Sequence, residues 1–121
     1  KYDGRFIGQY NGLPFCLMKV KGRKTGNLIT IALLTIPHGD DYILVASQGG
    51  AKTNPLWYYN LKENPEIEMQ VFSDIFKMRA IELSNDEKND LWPTIIEAYP
   101  GYENYQKVTN RNIPVFICKK I

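Results

Sequence analysis

The sequence predicts a mainly β fold of the α+β class, a small barrel of about six antiparallel strands with two or three peripheral helices. Apolar, β-prone segments outnumber segments of helical periodicity, and most of these strands follow one another directly. The helices are too few for regular βαβ winding. A length of 121 residues with 44% hydrophobic positions suits one domain, residues 1–121, with a single core.

The first half of the chain contains three predicted strands. Residues 15–20 and 28–36 flank a basic loop bounded by glycines, and residues 42–47 are apolar enough to be buried on both faces. Residues 37–41, which include the only histidine, His38, form a dense turn signal. We expect the three strands to form an antiparallel meander.

The spacing of the apolar residues then changes to that of a helix, which predicts a short helix. Asn54 is the expected N-cap, Pro55 the first helical residue, and the Asn64-Pro65 pair the end. Strands are predicted again at residues 67–72 and 76–83.

The last third of the chain is predicted to hold two helices and a closing strand. Ser84 and Glu87 form a capping-box pattern for a helix over about residues 86–99, in which Pro93 predicts a kink or a late start. A shorter helix is expected over residues 102–108, and residues 114–119 form the last strand.

Charge and cysteine usage restrict the class of protein. A formal charge of +2 is far below the excess that many phosphate contacts require, so we expect no nucleic-acid partner. Cys16 and Cys118 lie in apolar stretches, which indicates buried thiols and a cytoplasmic location. Because the chain begins at Lys1 rather than Met, we expect a preceding natural segment. This leaves open a peripheral membrane contact through that segment, and the sequence also leaves open a homodimer.

Common catalytic sets are absent from the sequence. His38 alone, on a turn, offers no base for a nucleophile, and the two cysteines lack metal-ligand spacing, so no metal site is predicted. A bound cofactor is therefore expected to carry any redox chemistry.

Three features are suited to a ligand. The loop GRKTG, residues 22–26, offers two cations, a hydroxyl and flexible amides for an anion, or is a solvated turn. Residues 47–50, Ser-Gln-Gly-Gly, let the backbone approach a flat ligand. Tyr99, Tyr102 and Tyr105 recur every three residues, as in the wall of a pocket, whereas core packing is the alternative for Trp57 and Tyr59.

The chain resembles the deazaflavin-dependent nitroreductase family in three segments: GRKTG (residues 22–26), VASQGGAKTNPLWYYNLKENPEIEMQV (45–71) and YPGYENYQKVTNRNIPV (99–115). Members are small split β-barrel proteins that bind a reduced deazaflavin, coenzyme F420, and pass hydride to a small-molecule acceptor such as a quinone or a nitroaromatic. The similarity runs in order from about residue 15 to the C-terminus. It implies a split barrel and a deazaflavin-dependent reductase.

The resemblance also implies roles for individual residues. The basic loop would hold the phosphate and acidic tail of the coenzyme, and the following strand, the glycine segment and the short helix would line it. The tyrosines would shape the substrate pocket. Among them, we expect Tyr102 to be the catalytic residue, because its hydroxyl could donate a hydrogen bond to the acceptor oxygen as negative charge develops. The implied cofactor-binding residues are Arg23, Lys24, Thr25, Thr30, Ile31, Ala32, Leu33, Leu34, Ala46, Ser47, Gln48, Gly49, Leu56, Trp57 and Tyr58, and the implied substrate-binding residues are Tyr99, Tyr102 and Tyr105.

The chain departs from the family pattern at three positions. Members often have a basic residue at the position of Ile29, a proline at Ala32 and a lysine at Gln48. The two missing charges favour an alternative in which the barrel binds FMN through a single phosphate. A second alternative is a carrier that binds the coenzyme without turnover.

Overall fold

The sheet is built around one long strand. In the computed structural model, which describes residues 9–10 and 13–121, β2 (Leu13–Lys21) lies between β3 (Leu28–Leu34) and β6 (Glu66–Val71). Along β2, Met18 and Val20 are buried whereas Lys19 is exposed. This alternation, which follows the period of two in a strand, directs one face of β2 into the core.

The other strands extend the sheet from β6 and curl it. The remaining strands are β1 (Gln9–Tyr10), β4 (Ile36–His38), β5 (Asp41–Val45), β7 (Asp74–Glu82) and β8 (Val115–Lys120). The strand pairs are antiparallel and give the order β1-β2-β6-β7-β8-β5-β4, and β3, which is outside this order, also pairs with β2. The mainly β class is confirmed, with eight strands among the described residues rather than about six.

In the described residues three α-helices accompany the sheet: α1 (Leu56–Glu63), α2 (Asn85–Ala98) and α3 (Gly101–Val108). The capping box that opens α2 is confirmed, because the Ser84 hydroxyl accepts from the Glu87 N–H and the Glu87 carboxylate accepts from the Ser84 N–H. The helix then continues through Pro93, so the expectation of a late start is wrong. Within the described residues, no helix is both long and apolar enough to cross a membrane.

The expected meander of the first three strands is wrong. The segment predicted as one strand divides at Thr35 into β3 and β4, and β5 pairs with β4 and β8 instead of with β3. His38 lies in β4 opposite Asp41, so only Gly39 and Asp40 remain as the turn. Gly39 has a φ of 61°, which a two-residue hairpin turn requires and glycine adopts without strain.

Thr35 joins the two ends of the sheet. Its N–H donates to the carbonyl of Pro14 on β2 at 3.0 Å, and its hydroxyl donates to the carbonyl of Ile43 on β5 at 3.0 Å. The residue is completely buried. Because a buried polar group must be paired, these two bonds secure the closure of the sheet around its core.

The core has two parts. One lies inside the curled sheet and includes Met18, Met69 and Phe116; the other lies where α2 and α3 cover the sheet and includes Ile95 and Ile113. Both cysteines are in the first part, and burial raises the pKa of each thiol to about 12. The prediction that both are buried thiols is confirmed.

The closure can be tested by replacing Thr35 with valine, which keeps the shape and removes the hydroxyl. Thr35→Val leaves the carbonyl of Ile43 without this donor, and we expect it to lower the free energy of unfolding by about 1–3 kcal/mol. Urea unfolding measures the change. The control is Thr30→Val at an exposed position of β3, for which the change should stay within about 0.5 kcal/mol. Equal values for the two variants would contradict the closing role of Thr35.

Candidate active site

A cavity of about 250 Å³ lies at the seam where the sheet closes, and we call it the seam cavity. β3 and β5 supply its apolar walls, the segment after β5 supplies polar groups, and α1 and α3 cover it. It is lined by Leu33, Leu34, Leu44, Val45, Ser47, Gln48, Pro55, Trp57 and Tyr102. A few polar groups in a mainly apolar recess are typical of a site for a flat organic ligand.

Tyr102 on α3 is one of the two residues with a hydroxyl group, with Ser47, that line the seam cavity. The residue is 5% exposed, and its hydroxyl forms no hydrogen bond with any part of the chain that the structure describes. No fully buried side-chain oxygen in this part of the chain lacks a hydrogen-bond partner, so the unbonded Tyr102 hydroxyl is accessible from outside and can donate to a ligand. Burial and the neighbouring Tyr105 raise the pKa of Tyr102 to about 12. The group is therefore a protonated donor at neutral pH.

The other two predicted tyrosines support Tyr102. The Tyr99 ring packs edge-on against that of Tyr102 at 4.6 Å, and the hydroxyls of Tyr99 and Tyr105 are 3.3 Å apart. A Cβ atom at Gly101 would lie 2.9 Å from the Tyr99 ring, so glycine is needed for this packing. Tyr99 and Tyr105 lie beside Tyr102 but are not among the residues that line the seam cavity.

The basic loop borders a second cavity, which we call the loop cavity, of about 230 Å³. It is lined by Gly22, Arg23, Lys24, Thr25, Ile29, Leu56 and Asn60. Most of the cavity wall is contributed by the loop, and Leu56, at the start of α1, is 77% exposed at its edge. An exposed leucine beside two cations is suited to a ligand with both apolar and anionic parts.

The loop is held in place and leaves its cations available. The Arg23 N–H donates to Oδ1 of Asn60 on α1 at 3.0 Å, and the Arg23 guanidinium lies 5.3 Å from the centre of the Tyr59 ring. Lys24 forms no ion pair within the described part of the chain. The Thr25 oxygen accepts from the Asn27 N–H at 3.2 Å, which leaves its hydroxyl hydrogen free to donate.

The two cavities follow one another along β3 and the start of α1. Ile29 lines the loop cavity and Leu33 the seam cavity, and at about 3.3 Å per residue these positions are roughly 13 Å apart. Leu56 and Trp57 likewise line one cavity each. An elongated ligand with a ring at one end and an anionic group at the other can occupy both.

Several predicted cofactor residues do not line either cavity. Thr30 and Ala32 are exposed on the other face of β3, and Ile31 packs against the core. The Tyr58 hydroxyl lies 3.3 Å from both carboxylate oxygens of Glu82, on the opposite side of α1 from Leu56. Ala46 and Gly49 flank the two residues of their segment that do line the seam cavity. The predicted roles of these residues stay predictions.

The expected N-cap of α1 is wrong, and the reason identifies a residue that the sequence analysis missed. The helix is capped by Pro55 without a side-chain bond, and the Asn54 oxygen instead accepts from Arg111 at 2.6 Å. Arg111 lies in the loop between α3 and β8 and also bonds to three carbonyls around the glycine segment. In sequence it is one basic residue in a polar loop, with no pattern to distinguish it.

No cluster of three or more His, Cys, Asp or Glu side chains that could hold a metal ion occurs in the described part of the chain. The available chemistry is a protonated hydroxyl, backbone groups and a basic loop around two recesses.

Comparison with known proteins identifies the family of the chain. A family model described as F420H(2)-dependent quinone reductase matches residues 1–120. The chain belongs to this family. It is therefore an oxidoreductase, as predicted, whose cofactor is coenzyme F420 and whose small-molecule substrate is a quinone.

Individual relatives agree with this assignment. Rv3178 of Mycobacterium tuberculosis, named among the F420H(2)-dependent quinone reductases, is 38% identical over 107 residues, which are 88% of this chain and 90% of that protein. A solved structure titled "Structure of F420-H2 Dependent Reductase (FDR-A)" is 36% identical with a TM-score of 0.80, over 88% of this chain and 94% of that one. A chain titled "domain-swapped dimer" has the same identity and TM-score, over 88% of this chain and 80% of its own.

The residues present fit the coenzyme of the family. A free donor inside an apolar recess suits the redox ring, and the unpaired cation and the amides of the basic loop suit a phosphate. Neither the FMN alternative nor the carrier alternative is what the family membership supports.

Proposed function

We propose that this chain holds reduced coenzyme F420 with its ring in the seam cavity and its phosphate and acidic tail at the loop cavity, while a quinone binds beside Tyr102. The single observation that carries the proposal is the unbonded hydroxyl of Tyr102, a buried residue that lines a recess in line with the basic loop. When bound, the coenzyme supplies the hydride. The protein supplies position, charge and a hydrogen-bond donor.

Positioning is the first contribution. Leu33, Leu44 and Trp57 form rigid walls because each belongs to a strand or helix that packs on the core. Holding a donor and an acceptor in contact geometry removes the entropy cost of bringing them together, which can supply several kcal/mol of the barrier. The apolar walls also exclude water from the reacting atoms.

Electrostatic stabilisation is the second contribution. As hydride arrives, negative charge develops on a quinone oxygen. A hydroxyl already oriented in a recess stabilises that charge without reorganisation. The raised pKa of Tyr102 keeps its proton in place across the neutral range, so that the group donates a hydrogen bond.

Binding of the tail is the third contribution. Arg23 and Lys24 provide positive charge, and Thr25 provides a hydroxyl donor for a phosphate. Ile29 brings no charge to this cavity and contributes an apolar contact instead. The affinity for the tail should therefore depend strongly on the two basic residues of the loop.

Removal of the Tyr102 hydroxyl tests the proposed reaction. We expect Tyr102→Phe to lower kcat about ten- to a hundredfold with little change in the KM for quinone, because a hydrogen bond to developing charge contributes about 1.5–3 kcal/mol. Steady-state oxidation of reduced coenzyme F420 by a quinone measures both constants. The control is Tyr42→Phe, whose ring packs on Phe76 outside both cavities. An unchanged kcat for Tyr102→Phe would exclude the donor role.

Neutralising the basic loop tests the site of the tail. We expect Arg23→Ala combined with Lys24→Ala to raise the Kd for coenzyme F420 roughly tenfold or more at low salt, and less at high salt because exposed charges are screened. Quenching of tryptophan fluorescence reports binding, since Trp57, one of the two tryptophans of the chain, lines the seam cavity. Lys77→Ala, at an exposed position of β7, is the matched control. Tighter binding of FMN than of coenzyme F420 would argue against this site.

We also propose that the chain forms a homodimer. Support comes from the similarity to the chain titled "domain-swapped dimer" and from exposed apolar side chains on the strands, such as Leu28 and Ile75. The peripheral membrane contact that the sequence left open stays a prediction.

Light scattering after size-exclusion chromatography tests the dimer. The expected mass is twice the 14.0 kDa of the chain over a tenfold range of concentration. A mass of 14.0 kDa at the highest concentration would contradict the proposal.

A further inference from the structure

Arg111 is bonded to four acceptors around one short segment. Its Nε donates to the carbonyl of Ala51 at 2.8 Å, and its Nη2 to the carbonyl of Ser47 at 2.6 Å. Its Nη1 donates to the carbonyl of Ala46 at 3.2 Å and to Oδ1 of Asn54 at 2.6 Å. Four of the five guanidinium donors are thus used on neutral oxygens, and within the described residues Arg111 has no carboxylate partner.

The segment between these acceptors has an unfavourable backbone conformation. Gln48, Gly49 and Gly50 have φ values of 45°, 63° and 81°, so three consecutive residues form a left-handed turn. The turn is closed by bonds from the Gly50 N–H to the Ser47 carbonyl and from the Ala51 N–H to the Gln48 carbonyl. Glycine adopts such φ values freely, but glutamine does not, and strain of this kind persists only where surrounding contacts impose it.

Arg111 supplies those contacts on both sides of the turn. Ala46 and Ser47 precede it, and Ala51 and Asn54 follow it. The planar guanidinium has its donors in a fixed arrangement, so it sets the distance between the two flanks of the turn. A lysine ammonium, which is a point charge on a flexible stem, lacks that fixed arrangement.

The position of Arg111 is itself set by α3 and its surroundings. The Arg111 carbonyl accepts from Gln106 Nε2 at 2.8 Å, and Gln106 Oε1 accepts from the buried Lys88 at 2.8 Å.

The turn also packs directly on α3, because a Cβ atom at Gly50 would lie 2.5 Å from Cγ2 of Val108. The wall that carries Ser47 and Gln48 is therefore coupled to the helix that carries Tyr102.

We propose that Arg111 is a positioning residue, which holds the left-handed turn at residues 48–50 so that Ser47 and Gln48 line the seam cavity. Arg111 is absent from the lining of that cavity and acts through the turn. The inference rests on the proposed binding of coenzyme F420 in the seam cavity.

A double-mutant cycle tests the proposal. Arg111→Lys keeps the positive charge but cannot form all four hydrogen bonds. In the protein that retains Gln48, we expect this change to raise the Kd for coenzyme F420 about tenfold. With Gln48→Gly the turn is free of strain, so the same change should raise the Kd less than about threefold. Trp fluorescence titration measures the Kd values. Arg79→Lys, which alters an exposed pair with Glu66, is the control and should leave the Kd unchanged.

A second readout needs no coenzyme. In the free protein, the amides of Gly50 and Ala51 should exchange with deuterium at least tenfold faster in Arg111→Lys than in the wild type, and Gln48→Gly should restore much of the protection. This result would support the role of Arg111 even if the cavity proved not to bind the coenzyme, so the two proposals fail separately.

Two outcomes would overturn the proposal. One is that Arg111→Lys leaves the exchange of the Gly50 and Ala51 amides unchanged. The other is that Arg111→Lys raises the Kd equally with Gln48 and with Gln48→Gly. The second would show that Arg111 acts on the ligand and not through the turn. Should Arg111→Lys fail to fold, Asn54→Leu removes one acceptor and keeps Arg111. It should then speed exchange at Gly50 and Ala51 two- to fivefold, and unchanged exchange would overturn the proposal.

Discussion

The curled sheet has two ends, and the site lies where Thr35 joins them. The chain leaves β3 at Leu34, passes through the buried Thr35, and enters β4, which pairs with β5. Leu33 and Leu34 on one side of this junction and Leu44 and Val45 on the other are the apolar walls of the seam cavity. A chain of this length has room for one core, so its ligand recess forms at the edge of that core, at the seam. The bonds of Thr35 to Pro14 and Ile43 therefore support both the barrel and the recess.

Local structure could be predicted from the sequence wherever neighbouring residues decide it. The capping box of Ser84 and Glu87 is one case, because both partners lie within a single turn. The pairing of β5 was predicted wrongly, since alternation of apolar residues identifies a strand but not its partner. Tyr42 pairs with Cys118, 76 positions away. Such a pairing depends on the curl of the whole sheet.

The same distinction between local and long-range interactions applies to the candidate site. The basic loop and Tyr102 could be named from the sequence because each belongs to a distinctive segment, and the structure brings them to two adjoining recesses. Asn54 was assigned to the wrong partner: as a helix cap it would bond locally, but the distant Arg111 takes its oxygen. A hydrogen bond between residues far apart in sequence cannot be predicted from the local spacing of residue types. The unfavourable φ of Gln48 is equally invisible in sequence.

The state of the two cysteines has a consequence for an enzyme that handles quinones. Quinones are electrophiles, and they are attacked by thiolates, not by thiols. Cys16 and Cys118 are the only cysteines of the chain, both are fully buried, and the pKa of each is raised to about 12. At neutral pH almost no thiolate exists at either position, and neither sulfur is accessible. Both thiols thus lie inside the core, where the quinone substrate cannot react with them.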